Sequence, residues 1–283
     1  MTEVLEAATV LDIRRTFGFL RMGMHDPTSA LTDDAFVKTF MLDAHTPARH
    51  SISVDGASLR VRSDGAGSLD SWAAQLPIAD GHDSFVPRRE HPVLHRIWRS
   101  LPGLRFLRVP WLFDLACGII LQQRVSYEEA ISQYQSLARR HGVMTELGRA
   151  FPAAQTVARL APAQLQQLGI DPRRGATLIR AAREHVTHDL FGLPRELLVA
   201  RLSALAGVGP WTVGMVRAYG LGDEDAVPMG DLHLPHVICQ ALAHQRRGDD
   251  ARMLELLTPY SGHRGRVVRL VLNARIHAPA LLR

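Results

Sequence analysis

One carboxylate stands out among the residues that could do chemistry. Asp231 follows Pro228-Met229-Gly230 and precedes the apolar run Leu232 to Ala243, the position of a helix N-cap. A carboxylate at the positive end of a helix stays ionised. The same residue can therefore cap a helix and hold a fixed negative charge beside a developing cation. Upstream, Ala206-Gly207-Val208-Gly209-Pro210 joins two stretches of helical periodicity, one carrying Leu198, Leu202 and Leu205, the other Val213, Met215 and Val216. Its glycines let another backbone approach closely, and Pro210 pre-sets a helix start. Bare amides at the positive end of a helix dipole make a natural seat for a phosphate. Gly-x-Gly turns also join helices that bind nothing, so this hairpin alone leaves the nucleic-acid reading open.

The elements that must position these groups fall into two parts. Residues 1–90 read as a β-rich domain, with strands predicted at Val10 to Met22, Ala35 to Leu42, His50 to Val54 and Ser58 to Val61 and a turn at Asp55-Gly56. A short helix is predicted over Ser68 to Leu76 and a linker over Ile78 to Pro92. From 91 to 283 the pattern is helix after helix, which makes the fold class α+β. Trp111 to His141 is broken at Leu121-Gln122-Gln123-Arg124-Val125-Ser126, and Ser126 with Glu129 predicts a capping box that starts a helix at Tyr127. Phe151-Pro152, Thr156 to Leu160, Pro162 to Leu168 and Pro172 to Thr187 predict further short helices.

Charge is uneven along the chain. Residues 1–100 carry 11 basic and 13 acidic side chains, and residues 101–283 carry 22 and 15. The segment 252–283 has six arginines against Glu255 alone, the footprint expected of a nucleic-acid binder. Cys117 and Cys239 are the only cysteines, too few for a four-cysteine zinc or iron–sulfur site and suited to a reduced compartment. No HExxH or His/Cys cluster supports a metal-dependent hydrolase. No leader and no apolar run of spanning length is present, so a cytoplasmic, nucleoid-associated protein without membrane partners is expected. The chain has a single lysine, Lys38.

The order Leu202, Leu205, Gly207-Val208-Gly209, Trp211-Thr212 and then Asp231 resembles the helix-hairpin-helix DNA glycosylase superfamily, most closely the 3-methyladenine DNA glycosylase II type. Leu121-Gln122-Gln123-Arg124-Val125-Ser126 is similar to that family's duplex-probing turn, and the stretch from Phe151-Pro152 through Leu168-Gly169-Ile170 to Arg173-Arg174 is similar to its helical middle. The resemblance implies a larger all-helical domain in two lobes, with the hairpin at about 197–219 and the catalytic loop at about 222–234. It implies a monomeric enzyme of base excision repair that flips alkylated purines out of duplex DNA and hydrolyses their glycosidic bonds.

Residue by residue, the resemblance makes Asp231 catalytic and places Trp211, Met215, Tyr260 and His263 at the base pocket. Gln123, Arg124, Gly207, Val208, Gly209, Thr212 and Arg264 would contact DNA, with Arg124 as the wedge and Gln123 beside the orphaned base. Backbone carbonyls of Ser203, Leu205 and Val208 match positions that hold a sodium or potassium ion; no other cofactor and no iron–sulfur cluster is implied. Relatives that also cut the strand carry a lysine at the position of Trp211, so water is the expected nucleophile here. Two alternatives remain open. One is a non-catalytic, lesion-sensing DNA-binding protein on the same scaffold. The other is a glycosylase for another damaged base, given room for a bulky adduct by Gly214 and Gly265.

Overall fold

The computed structural model describes residues 2–6, 11–56, 58–65 and 85–277. The helix expected over Ser68 to Leu76 and the first part of the expected linker lie outside the described residues. Five antiparallel strands form one sheet: β1 (Thr2–Glu6), β2 (Ser29–Leu31), β3 (Ala35–Met41), β4 (Pro47–Asp55) and β5 (Ser58–Gly65), in the order β1-β5-β4-β3-β2. Register is set by the alternation of buried side chains: Phe36 faces Ile52, Phe40 faces Ala48, and Ile52 faces Val61.

The strand expected over Val10 to Met22 is a correction. That segment is a short helix, α1 (Ile13–Phe17), followed by a 3₁₀ turn at Gly18–Leu20. Asp12 caps it, accepting from Arg15 N at 2.8 Å, and Ile13, Thr16 and Phe17 face inward. The helical spacing of these residues outweighs their β-branched character. Phe17 stacks on Phe36, with ring centroids 4.8 Å apart, and so ties α1 to the sheet.

The helical part begins with α2 (Pro92–Ser100), α3 (Leu112–Leu121) and α4 (Tyr127–His141). Ser126 Oγ accepts from Glu129 N at 3.2 Å, so the expected cap is present. The Glu129 carboxylate does not close the box; it accepts from Gln133 at 2.8 Å and pairs with Arg174 at 3.1 Å. A two-stranded hairpin absent from the sequence reading follows, β6 (Val143–Thr145) with β7 (Gly148–Ala150). Then come α5 (Ala154–Arg159), α6 (Pro162–Gln166), α7 (Pro172–His188), α8 (Arg195–Ala204), α9 (Pro210–Gly220), α10 (Leu234–Ala243), α11 (Asp250–Leu257) and α12 (Arg264–His277). Three apolar clusters organise the molecule. One joins the sheet, α1 and α3 to the α8–α9 hairpin; one fills α3 to α7; one packs α2 with α10 to α12. Phe85, within the expected linker, is buried in the last of these.

The only lysine lies in the sheet and is fully buried. Lys38 Nζ lies 2.7 Å from Asp114 Oδ2 on α3, and it donates to Thr28 Oγ1 at 2.6 Å and the Tyr134 hydroxyl at 3.0 Å. Burial raises the Asp114 carboxyl above its ordinary value against the pull of Lys38. An ion pair of this kind adds little net stability, but removing one partner strands a buried charge. Lys38→Met should therefore destabilise the fold by about 3–5 kcal/mol in urea denaturation, and adding Asp114→Leu should recover most of that loss.

Candidate active site

The hairpin between α8 and α9 is shaped by contacts on its inner side. Gly207 has φ of 92°, and a Cβ there would lie 2.1 Å from Thr177 Oγ1 on α7. Arg180 Nε donates to Ala206 O at 2.9 Å. Gln123 reaches across from the α3–α4 turn, its Nε2 donating to Gly207 O at 3.1 Å and Thr212 Oγ1 at 2.8 Å. Gly209 differs: its φ is −104° and a Cβ would meet nothing within 4 Å. Neither backbone angle nor packing demands a glycine there. Val208 N–H is committed to Leu205 O at 3.0 Å, whereas among the described residues the amides of Gly209, Trp211 and Thr212 have no backbone partner. They are orphan donors of a helix first turn.

The α3–α4 turn presents Arg124 beside this hairpin. Its φ of 58° is a left-handed conformation that costs a side-chain-bearing residue about 1–2 kcal/mol. Arg124 is exposed and has no partner among the described residues. Gln123 braces the hairpin through its amide nitrogen, which leaves only Oε1 to face a base. Thr212 is buried and receives that brace.

The loop from Leu221 to His233 carries Asp231, and three acids hold its first half. Asp223 accepts from Arg217 Nε at 2.8 Å and lies 3.4 Å from Arg195. Glu224 pairs with His263 at 3.0 Å and with buried Arg266 at 2.9 Å. Asp225 accepts from both arms of Arg264 and from the amides of Gly262 and Arg264. Burial opposes the Asp225 charge, but the Arg264 fork and the amides outweigh it and hold the carboxyl below its ordinary value. The loop backbone then passes between two helices at glycines. A Cβ on Gly214 would lie 2.7 Å from Pro228 Cα, and one on Gly265 would lie 2.6 Å from Ala226 O.

Asp231 emerges from this braced loop with three N–H groups converging on it. Trp211 Nε1 donates to Oδ2, and the amides of His233 and Leu234 donate to Oδ1, each at 2.8 Å. These two backbone contacts are of the capping kind, but α10 begins at Leu234 with His233 as its N-cap residue, so Asp231 stands two positions ahead of the cap expected of it. The carboxylate is half-buried, and among the described residues no arginine, lysine or histidine pairs with it. It is an oriented anion with no counter-cation among the described residues.

Trp211, Met215 and Tyr219 recur four residues apart and so share one face of α9. Tyr219 stacks on Phe19, from the 3₁₀ turn after α1, with centroids 3.8 Å apart and planes 26° apart. Arg269 of α12 lies 5.0 Å from the Tyr219 centroid. Burial holds the Tyr219 phenol above its ordinary value; the Arg269 charge opposes this and the Asp231 charge adds to it. Sequence reasoning missed Phe19 and Tyr219. The continuation of the Trp211–Met215 spacing by one turn points to Tyr219, whereas Phe19 has no sequence signal because it arrives from another element.

Several expected site residues lie elsewhere. Tyr260 is 4% exposed in the α2/α10–α12 cluster, its hydroxyl on His91 Nδ1 at 2.5 Å, so no ring face is open to a base. His263 is held by Glu224. Arg264, expected on DNA, is the fork on Asp225. Other described arginines of that basic segment are also engaged within the protein: Arg266 pairs with Glu224, Arg269 packs on Phe106 and Tyr219, and Arg252 pairs on the surface with Glu255, while Arg275 is exposed. Gly214 and Gly265 give no room for a bulky adduct, because loop backbone fills the space against both.

Gly214→Ala forces a Cβ into that backbone and should cost about 1–3 kcal/mol, read as a lowered thermal midpoint. Gly209→Ala, with open space around it, should stay within about 0.5 kcal/mol of wild type.

The family model for HhH-GPD superfamily base excision DNA repair proteins matches residues 117–260, which include the α3–α4 turn, the hairpin and the Asp231 loop. A DNA-3-methyladenine glycosylase of Bacillus subtilis (strain 168) is 26% identical over 181 residues, 60% of this chain and 59% of the relative. The chain thus spans about three fifths of that relative's length. A 3-methyladenine DNA-glycosylase from Archaeoglobus fulgidus shares the fold with a TM-score of 0.74 at 15% identity, over 98% of this chain and 99% of that one. The 8-oxoguanine glycosylase/lyase of Clostridium acetobutylicum, in complex with double-stranded DNA, aligns with a TM-score of 0.71 at 12% identity, over 98% of each chain. With the matched region covering half of the sequence and the hairpin, brace and aspartate assembled within it, the chain belongs to the HhH-GPD superfamily of base excision DNA repair proteins.

Proposed function

We propose that the protein is a monofunctional DNA glycosylase that hydrolyses the glycosidic bond of alkylated purines in duplex DNA. The observation that carries this reading is Asp231: a half-exposed carboxylate, oriented by the Trp211 indole and two amides and, among the described residues, without a counter-cation. The Bacillus subtilis relative described above is named a DNA-3-methyladenine glycosylase, which supports the choice of alkylpurines.

In this reading the free amides of Gly209 and the first turn of α9 take a DNA phosphate, and Gly209 permits its close approach. Arg124, held in a left-handed turn with no partner among the described residues, enters the gap that the flipped nucleotide leaves. An N-alkylated purine is cationic and leaves as a neutral base, taking the bond's electron pair. Positive charge then develops on the sugar. An anion about 4 Å away, at an effective dielectric of about 20, contributes about 4 kcal/mol, roughly a thousandfold in rate. Water adds to C1′ and loses a proton.

Lys38, buried and paired with Asp114, supports water over an amine as the nucleophile. A sodium or potassium ion fits the hairpin. The carbonyl of Ser203 is one of the partnerless carbonyls at the negative end of α8, and that of Leu205, just beyond, accepts one N–H and keeps a second lone pair. Such an ion would bridge backbone to phosphate.

Asp231→Asn should lower release of 3-methyladenine and 7-methylguanine from methylated DNA by about a thousandfold while binding to an abasic analogue persists. Wild-type-level release by this variant would overturn the reading. Borohydride should trap no covalent protein–DNA adduct, and a trapped adduct would overturn the monofunctional assignment. Wild-type protein that binds abasic DNA but releases no base would instead mark a lesion sensor.

A further inference from the structure

Tyr219 is held in a way that leaves one part of it uncommitted. Phe19 covers one face of its ring with centroids 3.8 Å apart. A stacked ring at that distance excludes anything else from the same face, so the Arg269 guanidinium, 5.0 Å from the centroid, lies over the other. Arg269 is itself fixed: it is buried, packs 4.4 Å from the Phe106 centroid and donates to Thr16 O at 3.3 Å. With both faces occupied, the ring offers a base no stacking surface. What remains is its hydroxyl edge.

That hydroxyl has no hydrogen-bond partner among the described residues. Burial keeps the phenol protonated at neutral pH, so it is a donor. It lies on the Trp211–Met215–Tyr219 face of α9, two turns along from Trp211, whose indole N–H donates to Asp231 Oδ2 at 2.8 Å. Buried or half-buried phenols ordinarily find a partner, and this one would find it on the side of α9 that carries Trp211.

We infer that the Tyr219 hydroxyl is a base-reading group: it donates a hydrogen bond to a ring-nitrogen or carbonyl acceptor on the edge of the extruded purine, while Phe19 and Arg269 fix the angle from which it does so. Trp211 is then the stacking wall and Tyr219 the edge reader. The site selects a damaged purine that keeps an acceptor on that edge. The sheet-side residue Phe19 takes part in specificity by locking the reader in place. This assignment rests on the base-excising reading of the Asp231 site.

The test is Tyr219→Phe, which keeps the ring, its stack on Phe19 and its contact with Arg269. Two readouts are needed. Single-turnover release from methylated DNA should fall about tenfold for 3-methyladenine or 7-methylguanine, changing the ratio of the two. Binding to a duplex carrying 2′-fluorinated 7-methylguanosine, whose glycosidic bond resists hydrolysis, or its 3-methyladenosine counterpart, should also weaken about tenfold for at least one of the two. Binding to an abasic duplex should stay within twofold of wild type. Unchanged release and unchanged preference for the base-bearing duplexes over the abasic one would overturn the inference. If wild-type protein releases no base, the glycosylase reading falls, and the binding comparison still decides the hydroxyl: lost preference for a base-bearing duplex supports it, retained preference for both overturns it.

Discussion

The Asp231 carboxylate is only as well placed as the loop that carries it, and that loop is held by charge. Asp223, Glu224 and Asp225 are consecutive acids that would repel one another in water. Each is matched to a separate cation: Arg217, Arg266 and Arg264. The three arginines come from α9 and α12, so the pairs tie the loop to two helices at once. Gly214 and Gly265 let those helices close on the loop backbone, near enough that a methyl group at either position would collide with it. Charge sets the register of the loop and the missing side chains set its depth.

This arrangement reassigns much of the chain's positive charge. The arginines of α12 are an electrostatic footprint only if they face outward, and most of them face the acidic loop or aromatic rings. Charge free to meet an anionic partner lies on Arg124 and in the uncommitted amides of the first turn of α9, together with exposed arginines such as Arg108, Arg173, Arg246 and Arg247. Backbone donors and a single strained arginine impose geometry as well as attraction, because neither can move far without breaking the hairpin brace from Gln123. Diffuse surface charge would supply attraction alone.

The sheet is coupled to the helices more closely than a packing module would be. Phe19 leaves the sheet side to stack on Tyr219, and Lys38 reaches out of β3 to Asp114 and Tyr134 on two helices. A buried ion pair across such a boundary fixes alignment more than it adds stability, since slippage would strand a charge in the core.

Local chemistry was legible in the sequence. The capped start of α4, the glycine-rich hairpin, Pro210 at a helix start and Asp231 before an apolar run all depend on neighbours within a few residues, and the structure has each of them. The resemblance carried by those motifs led to the right superfamily and fold class. What the sequence could not settle was pairing over distance. Whether Arg264 meets DNA or Asp225, whether Tyr260 faces a pocket or His91, and whether Gly214 makes room or admits a backbone are decided by residues 10 to 170 positions away. A side chain's type fixes what it can bind, but only the packed chain fixes which partner reaches it first. Asp231 was readable because its backbone contacts are local; Phe19 was not, because its partner Tyr219 lies 200 residues along the chain.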